Sequence, residues 1–410
     1  VKRVAITGFG VVSAVGTGRE AFWDALARGA GGIRPITRFD AGTFAARLAA
    51  EVRVQPSLSP EVTGVAGDDP KVGFAVVACA EALAHAGMDR LPPESLLHLG
   101  TSLETFDLSK LVADGAVDFA AVARRALGEH GPRLQIPLDM AARLVAQEYG
   151  PAGLVLTNCS ACAAGAQAIG HGFRAVRDGE ARTAVCGGFD SMINPLGVGG
   201  FQLLGALTTD NERGAFACRP FDANRRGTVL GEGAAVVVLE PLDTALADGR
   251  VVLAEICGFG SSLDAHSLTA PDPRGDGALR SMRAALDDAG IGPGQIRHIN
   301  THGTGTQLND EIEATAIRTL FAANWEGIPV SATKSVTGHC IAAAGAIEVG
   351  ACLLATHCGV LPPNPSLDRV APGCELNHVT QPQTPFAGGY VLSNSFGFGG
   401  QNATLVLRRL

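Results

Sequence analysis

Basic charge is what this sequence is short of. Its 32 lysines and arginines face 40 acidic residues, a formal net charge of -8, so no broad polyanion-binding surface exists and nucleic acid is excluded as the main partner. Charged residues of both signs make up only 18% of the chain while apolar residues reach 46%, which excludes a disordered or low-complexity chain. A dense cysteine framework is also missing. Ten cysteines are scattered through 410 residues, the pattern of buried or reactive thiols in a reducing compartment rather than of disulfide staples. The most apolar late stretch, Ala342 to Ala355, is interrupted by Glu348 and is too short for a helical membrane span. Residues Val1 to Thr7 enter an apolar run directly, without the basic region and small-residue cleavage site of a secretory leader, so a cytoplasmic location is expected.

What the chain has in excess is glycine, 53 residues, spread among short β-branched runs and Ala-rich helical windows that alternate. Val4 to Thr7 precedes a helical window at Glu20 to Arg28; Val72 to Ala86 precedes a strand at Leu96 to Gly100; Gly153 to Leu156 precedes a helix at Ala163 to Val176. That alternation indicates an α/β fold. Runs such as Ala234 to Leu239 carry no period-two polarity, so their sheet is covered by helices on both faces. The chain also echoes itself: Ile6-Thr7-Gly8-Phe9-Gly10 returns as Ile256-Cys257-Gly258-Phe259-Gly260, and Ala82 to Met88 returns as Ala285 to Ile291. The echoes point to a duplicated fold, each half opening with a strand that ends in a Gly-Phe-Gly turn and continuing through a helix closed by glycine. The halves, 1–247 and 248–410, are expected to share one core.

Chemistry concentrates in three small-residue segments. Thr157-Asn158-Cys159-Ser160-Ala161-Cys162-Ala163-Ala164-Gly165 follows a strand and opens a helix, where unpaired N–H groups and the helix dipole lower a thiol pKa and favour Cys162 as a nucleophile. Taken alone, Cys159 and Cys162 also form a C-x-x-C spacing compatible with redox or zinc chemistry, or with two inert buried thiols. Asn300-Thr301-His302-Gly303-Thr304-Gly305-Thr306 follows the strand Ile296 to Ile299 and carries an imidazole to a sheet edge; its glycine spacing matches no phosphate-binding loop. Ser331 to Glu348 embeds Lys334, His339 and Glu348 in apolar, small-residue surroundings.

Together with Gly187-Gly188, Asn194 to Phe201, Arg219-Pro220-Phe221-Asp222, Gly231-Glu232-Gly233 and Asn394 to Asn402, these segments resemble the β-ketoacyl-acyl carrier protein synthases, especially the type II elongating kind, over essentially the whole chain. The resemblance implies a thiolase-like fold of duplicated halves in a five-layer αβαβα arrangement. It implies a Cys162, His302 and His339 site in which Cys162 takes an acyl chain from acyl carrier protein as a thioester. The N–H groups of Cys162 and Phe398 then form an oxyanion hole. His302 and His339 would hold malonyl-acyl carrier protein and stabilise the enolate left by loss of carbon dioxide, giving a 3-ketoacyl chain two carbons longer. Lys334, placed near His339, and Glu348 match supporting positions, and Asp310 and Glu313 brace the loop. Thr304 and Thr306 match the phosphopantetheine tunnel, and Phe201 and Phe398 the acyl pocket. No metal or redox cofactor is implied, since phosphopantetheine arrives on the carrier, and no membrane partner. A dimer is implied, with an identical chain or a chain-length-factor-like subunit.

Two stretches depart from the family's pattern. Ser102 to Leu108 replaces a Gly-rich loop of the acyl pocket, and Gly67 to Phe74 replaces a basic helix that meets the carrier, leaving Arg225-Arg226 as alternative docking residues. The departures suggest a type II polyketide or polyene pathway rather than housekeeping fatty-acid synthesis. Rival readings are a chain-length-factor-like subunit without its own catalysis, a thiolase, and a ketosynthase-like acyltransferase acting on an amine or alcohol.

Overall fold

The computed structural model describes residues 2–53, 57–106, 112–113, 116–117, 120, 135–150, 153–383 and 385–410, with side chains left undescribed at 105–106, 112–113, 116–117 and 323. Asp107 and Leu108 of the departing stretch lie outside the described residues. The first half contributes β1 (Val4–Ser13), α1 (Pro70–His85), β2 (Ser95–Gly100), β3 (Leu154–Asn158), α2 (Ala164–Asp178), β4 (Thr183–Ser191) and β5 (Glu232–Pro241). The second contributes β6 (Ala254–Leu263), α3 (Asp276–Ala289), β7 (Ile296–Asn300), α4 (Gln307–Phe321), β8 (Pro329–Ser331), α5 (Ala344–Cys358), β9 (Tyr390–Gly397) and β10 (Gln401–Arg408).

Outward from the centre, the strands of the first half run β1, β5, β4, β2, β3, and those of the second run β6, β10, β9, β7, β8. The order repeats strand for strand. So does the hand of each pairing, antiparallel for the first two contacts and parallel for the next two. A short antiparallel bridge, Val4–Ile6 against Ala254–Ile256, joins the halves into one sheet. Helix α1 covers the outer face of the first half, and α3 and α4 cover that of the second. Helices α2 and α5 lie back to back between the halves in the largest apolar cluster, completing the five layers.

The echoed Gly-Phe-Gly segments do not end their strands; they run through the middle of β1 and β6, each with a register shift just before the first glycine. The reason is clearance. A Cβ on Gly8 or Gly10 would stand 2.1 or 2.2 Å from carbonyl oxygens of α1, and one on Gly258 or Gly260 would stand 2.3 or 2.0 Å from those of α3. The glycines let an outer helix rest directly on the strand backbone. The second echo closes both helices as expected, with Gly87 and Gly290 in the left-handed region at φ 67° and 65°.

The apolar stretch from Ala342 proves longer than its sequence suggests. Residues Ile341–Cys358 form one continuous helical segment of 18 residues, long and apolar enough to cross a membrane by length and composition. It is buried between the two half-sheets, where Glu348 pairs with Lys334, so it serves as the core helix of this fold.

Replacing Gly10 by alanine sets the new methyl against the Ala78 carbonyl, and the expected loss of unfolding free energy is about 1–3 kcal/mol. Urea denaturation measures it. Gly64→Ala is the control, because nothing lies within 4 Å of a Cβ there, and equal stability of the two variants would contradict the clearance argument.

Candidate active site

Cys162 sits in a tight turn, Ala161–Ala163, between β3 and α2, and the second half repeats the turn as Ile341–Ala343 before α5. Ala161 and Ile341 both adopt left-handed backbone, φ 48° and 44°, a conformation strained for a residue with a side chain and most of all for a β-branched one. The strain persists because the turns pack on each other through glycine. A Cβ on Gly165 or Gly188 would lie 2.7 or 2.5 Å from the Ala342 carbonyl oxygen, and one on Gly345 would lie 2.8 Å from the Ala166 methyl. At the position of Cys162 the second turn carries Ala342, whose N–H donates to the buried Asp190 at 3.0 Å.

The contact brings the third segment to the first. His339 Nε2 lies 3.1 Å from Cys162 Sγ, and the His302 ring stands edge-on to that of His339 with centroids 5.3 Å apart. Lys334 Nζ donates to the His302 carbonyl at 2.6 Å, approaches His302 Nδ1 at 3.3 Å and pairs with Glu348 at 2.5 Å. Lys334 therefore contacts His302 directly, and its charge also acts on His339, the neighbour expected for it.

These contacts determine which imidazole nitrogens carry hydrogen. The Ile341 N–H donates to His339 Nδ1 at 3.2 Å, and Lys334, a donor only, faces His302 Nδ1. Burial, reinforced by the positive charge of Lys334, holds both imidazoles well below their ordinary pKa, so both are neutral. With Nδ1 accepting, each neutral ring carries its proton on Nε2. Two Nε2–H donors result, one of them beside the sulfur. The backbone N–H groups of Phe398 and of Cys162 itself also favour negative charge on that sulfur.

The expectation of a lowered thiol pKa is not met. Burial pushes the Cys162 thiol up to about 12, outweighing Lys334 and the two N–H groups that pull it down. Cys162 rests as a thiol, surrounded by donors that stabilise the thiolate once it forms. Cys159 is exposed and unbridged; its thiol hydrogen-bonds the Ser102 carbonyl, and burial raises its pKa too.

The loop holding His302 is braced by buried acids. Glu313 accepts from the N–H groups of His302 and Gly303, both at 2.8 Å, and Asp310 accepts from Thr304, Gly305 and Phe221 at 3.0, 3.2 and 2.8 Å. Burial raises the Glu313 and Glu348 carboxyls to about 7. Arg225, expected to be free for docking, is buried and spent on Asp310 and on the carbonyls of Thr306 and Gln307. Asn394, whose side chain donates to Glu313 at 3.2 Å, and Asp190 belong to this framework without having been singled out by role. An acid at the end of the apolar run of β4 is the signal that marks Asp190.

A cavity of about 680 Å³ unites the set: Cys162, His302 and His339 line it with Thr304, Thr306, Phe201 and Phe398. The Phe201 and Phe398 rings stack at 6.0 Å, and the Thr304 and Thr306 hydroxyls meet at 2.8 Å. Lys334, Glu348, Asp310 and Glu313 stand behind this lining. Cys162, His302 and His339 have ligand atoms within 4.8 Å of one another, a set of the kind that zinc takes. Their surroundings have the wrong polarity, however. Metal-bound histidines donate their second nitrogen to an acceptor, whereas here both second nitrogens face donors.

Comparison with known proteins places the chain in a family. The β-ketoacyl synthase N-terminal domain family matches residues 1–245, and the β-ketoacyl synthase C-terminal domain family matches residues 253–368. The 3-oxoacyl-acyl-carrier-protein synthase 2 of Coxiella burnetii is 38% identical over 417 residues, covering 100% of this chain and 99% of that protein. The ishigamide ketosynthase/chain length factor superposes with a TM-score of 0.85 at 34% identity, covering 100% of this chain and 99% of that one. A type II polyketide synthase ketosynthase, solved with its acyl-carrier protein and bound to the hexaketide, superposes at 0.84 with 27% identity and full coverage of both chains.

Alkylation of Cys162 by iodoacetamide tests the thiol directly. Thiolate is the reactive form, so with the pKa raised to about 12 the rate is expected to climb about tenfold per pH unit from about pH 7 to about pH 10. A plateau reached below about pH 8, followed by mass spectrometry of the modified peptide, would overturn that assignment.

Proposed function

This chain belongs to the β-ketoacyl synthase family, and we propose that its Cys162, His302 and His339 carry out a decarboxylative condensation in two half-reactions. The protein is a carbon–carbon bond-forming acyltransferase that works with acyl carrier protein in fatty-acid or polyketide synthesis. The observation behind the residue roles is the convergence of two Nε2–H donors and a donor-ringed thiol in one cavity.

In the first half-reaction Cys162 attacks the acyl thioester on the carrier. The tetrahedral oxyanion is held by the N–H groups of Cys162 and Phe398, and the pantetheine thiol leaves with the proton. In the second, a malonyl thioester enters past Thr304 and Thr306, and its carbonyl oxygen meets His302 and His339. Loss of carbon dioxide leaves an enolate that both Nε2–H groups stabilise. The carbanion attacks the acyl-Cys162 carbonyl and expels the thiolate, which takes up a proton from water to return to the resting thiol as a 3-ketoacyl chain two carbons longer departs on the carrier. Because decarboxylation supplies the carbanion, neither histidine has to remove a proton from carbon, which suits neutral imidazoles whose Nδ1 atoms are occupied. The scheme calls for no metal or redox cofactor.

The presence of all three residues favours a self-catalytic chain over a silent chain-length-factor-like subunit, and the paired histidines favour condensation over thiolysis or transfer to an amine or alcohol. The departing stretches Ser102 to Leu108 and Gly67 to Phe74 favour a specialised polyketide or polyene system. We place the enzyme in the cytoplasm. Among the described residues edge strand β3 pairs only with β2, and it leaves Leu154, Val155 and Leu156 exposed by 55%, 40% and 38%, an apolar edge that a second chain, identical or chain-length-factor-like, would cover.

Intact-mass spectrometry of protein and carrier, after short acyl-carrier and then malonyl-carrier are added, is expected to show acyl-Cys162 followed by a carrier product longer by two carbons. Cys162→Ala removes the first species. His302→Ala keeps it while slowing condensation by at least about 100-fold, the scale of a lost oxyanion donor. Acylation without a lengthened product in the wild type would favour the acyltransferase reading. For the edge strand, Leu156→Lys is expected to turn a dimer into a monomer in light scattering, and an unchanged mass would remove β3 from the interface.

A further inference from the structure

The stretch Gly67 to Phe74 presents no free base: its one cation, Lys71, is buried, pairs with Asp69 at 3.6 Å and donates to the Leu103 carbonyl. Anion recognition has to come from elsewhere on a chain of net charge -8. A second cavity of about 490 Å³ opens beside the first, and its arginines are Arg47, Arg213, Arg219 and Arg226. Two of these are spent, since Arg219 is buried against Asp222 and Asp368 at 2.8 and 2.9 Å and Arg213 pairs with Asp368 at 3.3 Å. Among the described residues Arg47 and Arg226 make no ion pair, and Arg226 alone of the four also lines the cavity that ends at Cys162. Arg226 is exposed, whereas its neighbour Arg225 is buried and committed.

We infer that Arg226 receives the phosphodiester at the root of the carrier's pantetheine arm, holding the arm where it enters the tunnel. The inference rests on the carrier-dependent reading above and adds a charge contact to it. A guanidinium matches phosphate oxygens in a fork of two parallel hydrogen bonds, and at a partly open mouth it loses little hydration in doing so. Asp210 and Glu212 line the open cleft and Asp264 the tunnel, so the positive position is local and marks one point along the path. An anion at the acyl end of the substrate would lie at Cys162 instead, which separates this contact from recognition of the malonyl carboxylate.

Acylation of Cys162 can be followed with three donors carrying one acyl group: acyl-pantetheine, acyl-4′-phosphopantetheine and acyl-carrier. The wild type is expected to prefer the phosphorylated donor over acyl-pantetheine. Arg226→Ala should reduce that preference about tenfold, the size of one charge-assisted contact, with Arg226→Glu reducing it further and Arg226→Lys restoring part of it. The preference with acyl-carrier should fall in parallel. A loss seen only with acyl-carrier would assign Arg226 to an acidic carrier surface and overturn the phosphodiester contact. An equal loss with all three donors would make Arg226 a structural residue of the tunnel and overturn it as well. Failure of the wild type to form acyl-Cys162 with any donor would instead sink the carrier-dependent reading, and this assignment with it.

Discussion

Everything chemical in this protein depends on one close contact between two backbone turns at the centre of a duplicated fold. Gly165 and Gly188 press on the Ala342 carbonyl, and Gly345 presses on Ala166, at separations where a single added methyl has no room. The contact holds α2 and α5 back to back and forces Ala161 and Ile341 into left-handed backbone, a cost of about 1–2 kcal/mol per residue. Such strain survives only where surrounding packing leaves no alternative, and here the reward is placement. The same contact that strains the turns sets the Cys162 sulfur 3.1 Å from His339.

Placement alone does not make the site reactive; its polarity does. The groups that face the sulfur and the two imidazoles present donors. The Phe398 and Cys162 amides and His339 Nε2 address the sulfur, and Lys334 keeps the His302 proton on Nε2 by occupying Nδ1. The acids that balance these donors stand one layer back, where Glu313 and Asp310 grip the loop backbone and Glu348 pairs with Lys334. Burial opposes negative charge on sulfur in the resting enzyme, while the donors favour negative charge on a substrate oxygen as it develops. That division suits chemistry in which charge appears during the reaction, and it spares the enzyme a permanently ionised nucleophile.

Much of this was legible in the sequence. Alternating strands and helices pointed to the covered sheet, the Ile6 and Ile256 echoes pointed to the duplication, and three small-residue segments pointed to residues that meet in one cavity. Local pattern could do this because strand ends and glycine turns put side chains at the same edge of the sheet. Three things were not legible, each for a physical reason. A Gly-Phe-Gly string reads as a turn until the helix lying on it is known, since clearance is a tertiary property. The thiol pKa could not be inferred from a helix N-terminus because burial, the larger effect, leaves no local mark. The direct contact of Lys334 with His302 was not legible because proximity in sequence to His339 says nothing of the loop that delivers His302.

Duplication also explains why the chemistry is divided as it is. Both halves build the same turn, and only the first carries a nucleophile; the second carries Ala342, with its N–H taken up by Asp190 from the first half. The second turn sets its Ala342 carbonyl against Gly188 and Gly165 and so acts as a support. Its contribution is made from the flanks instead. His339, three residues before Ala342, and Lys334, through His302, supply donors across the interface to a sulfur held by the other half. Neither half therefore holds a working set by itself, and the stability of the central helix pair and the geometry of the site are one property of the fold.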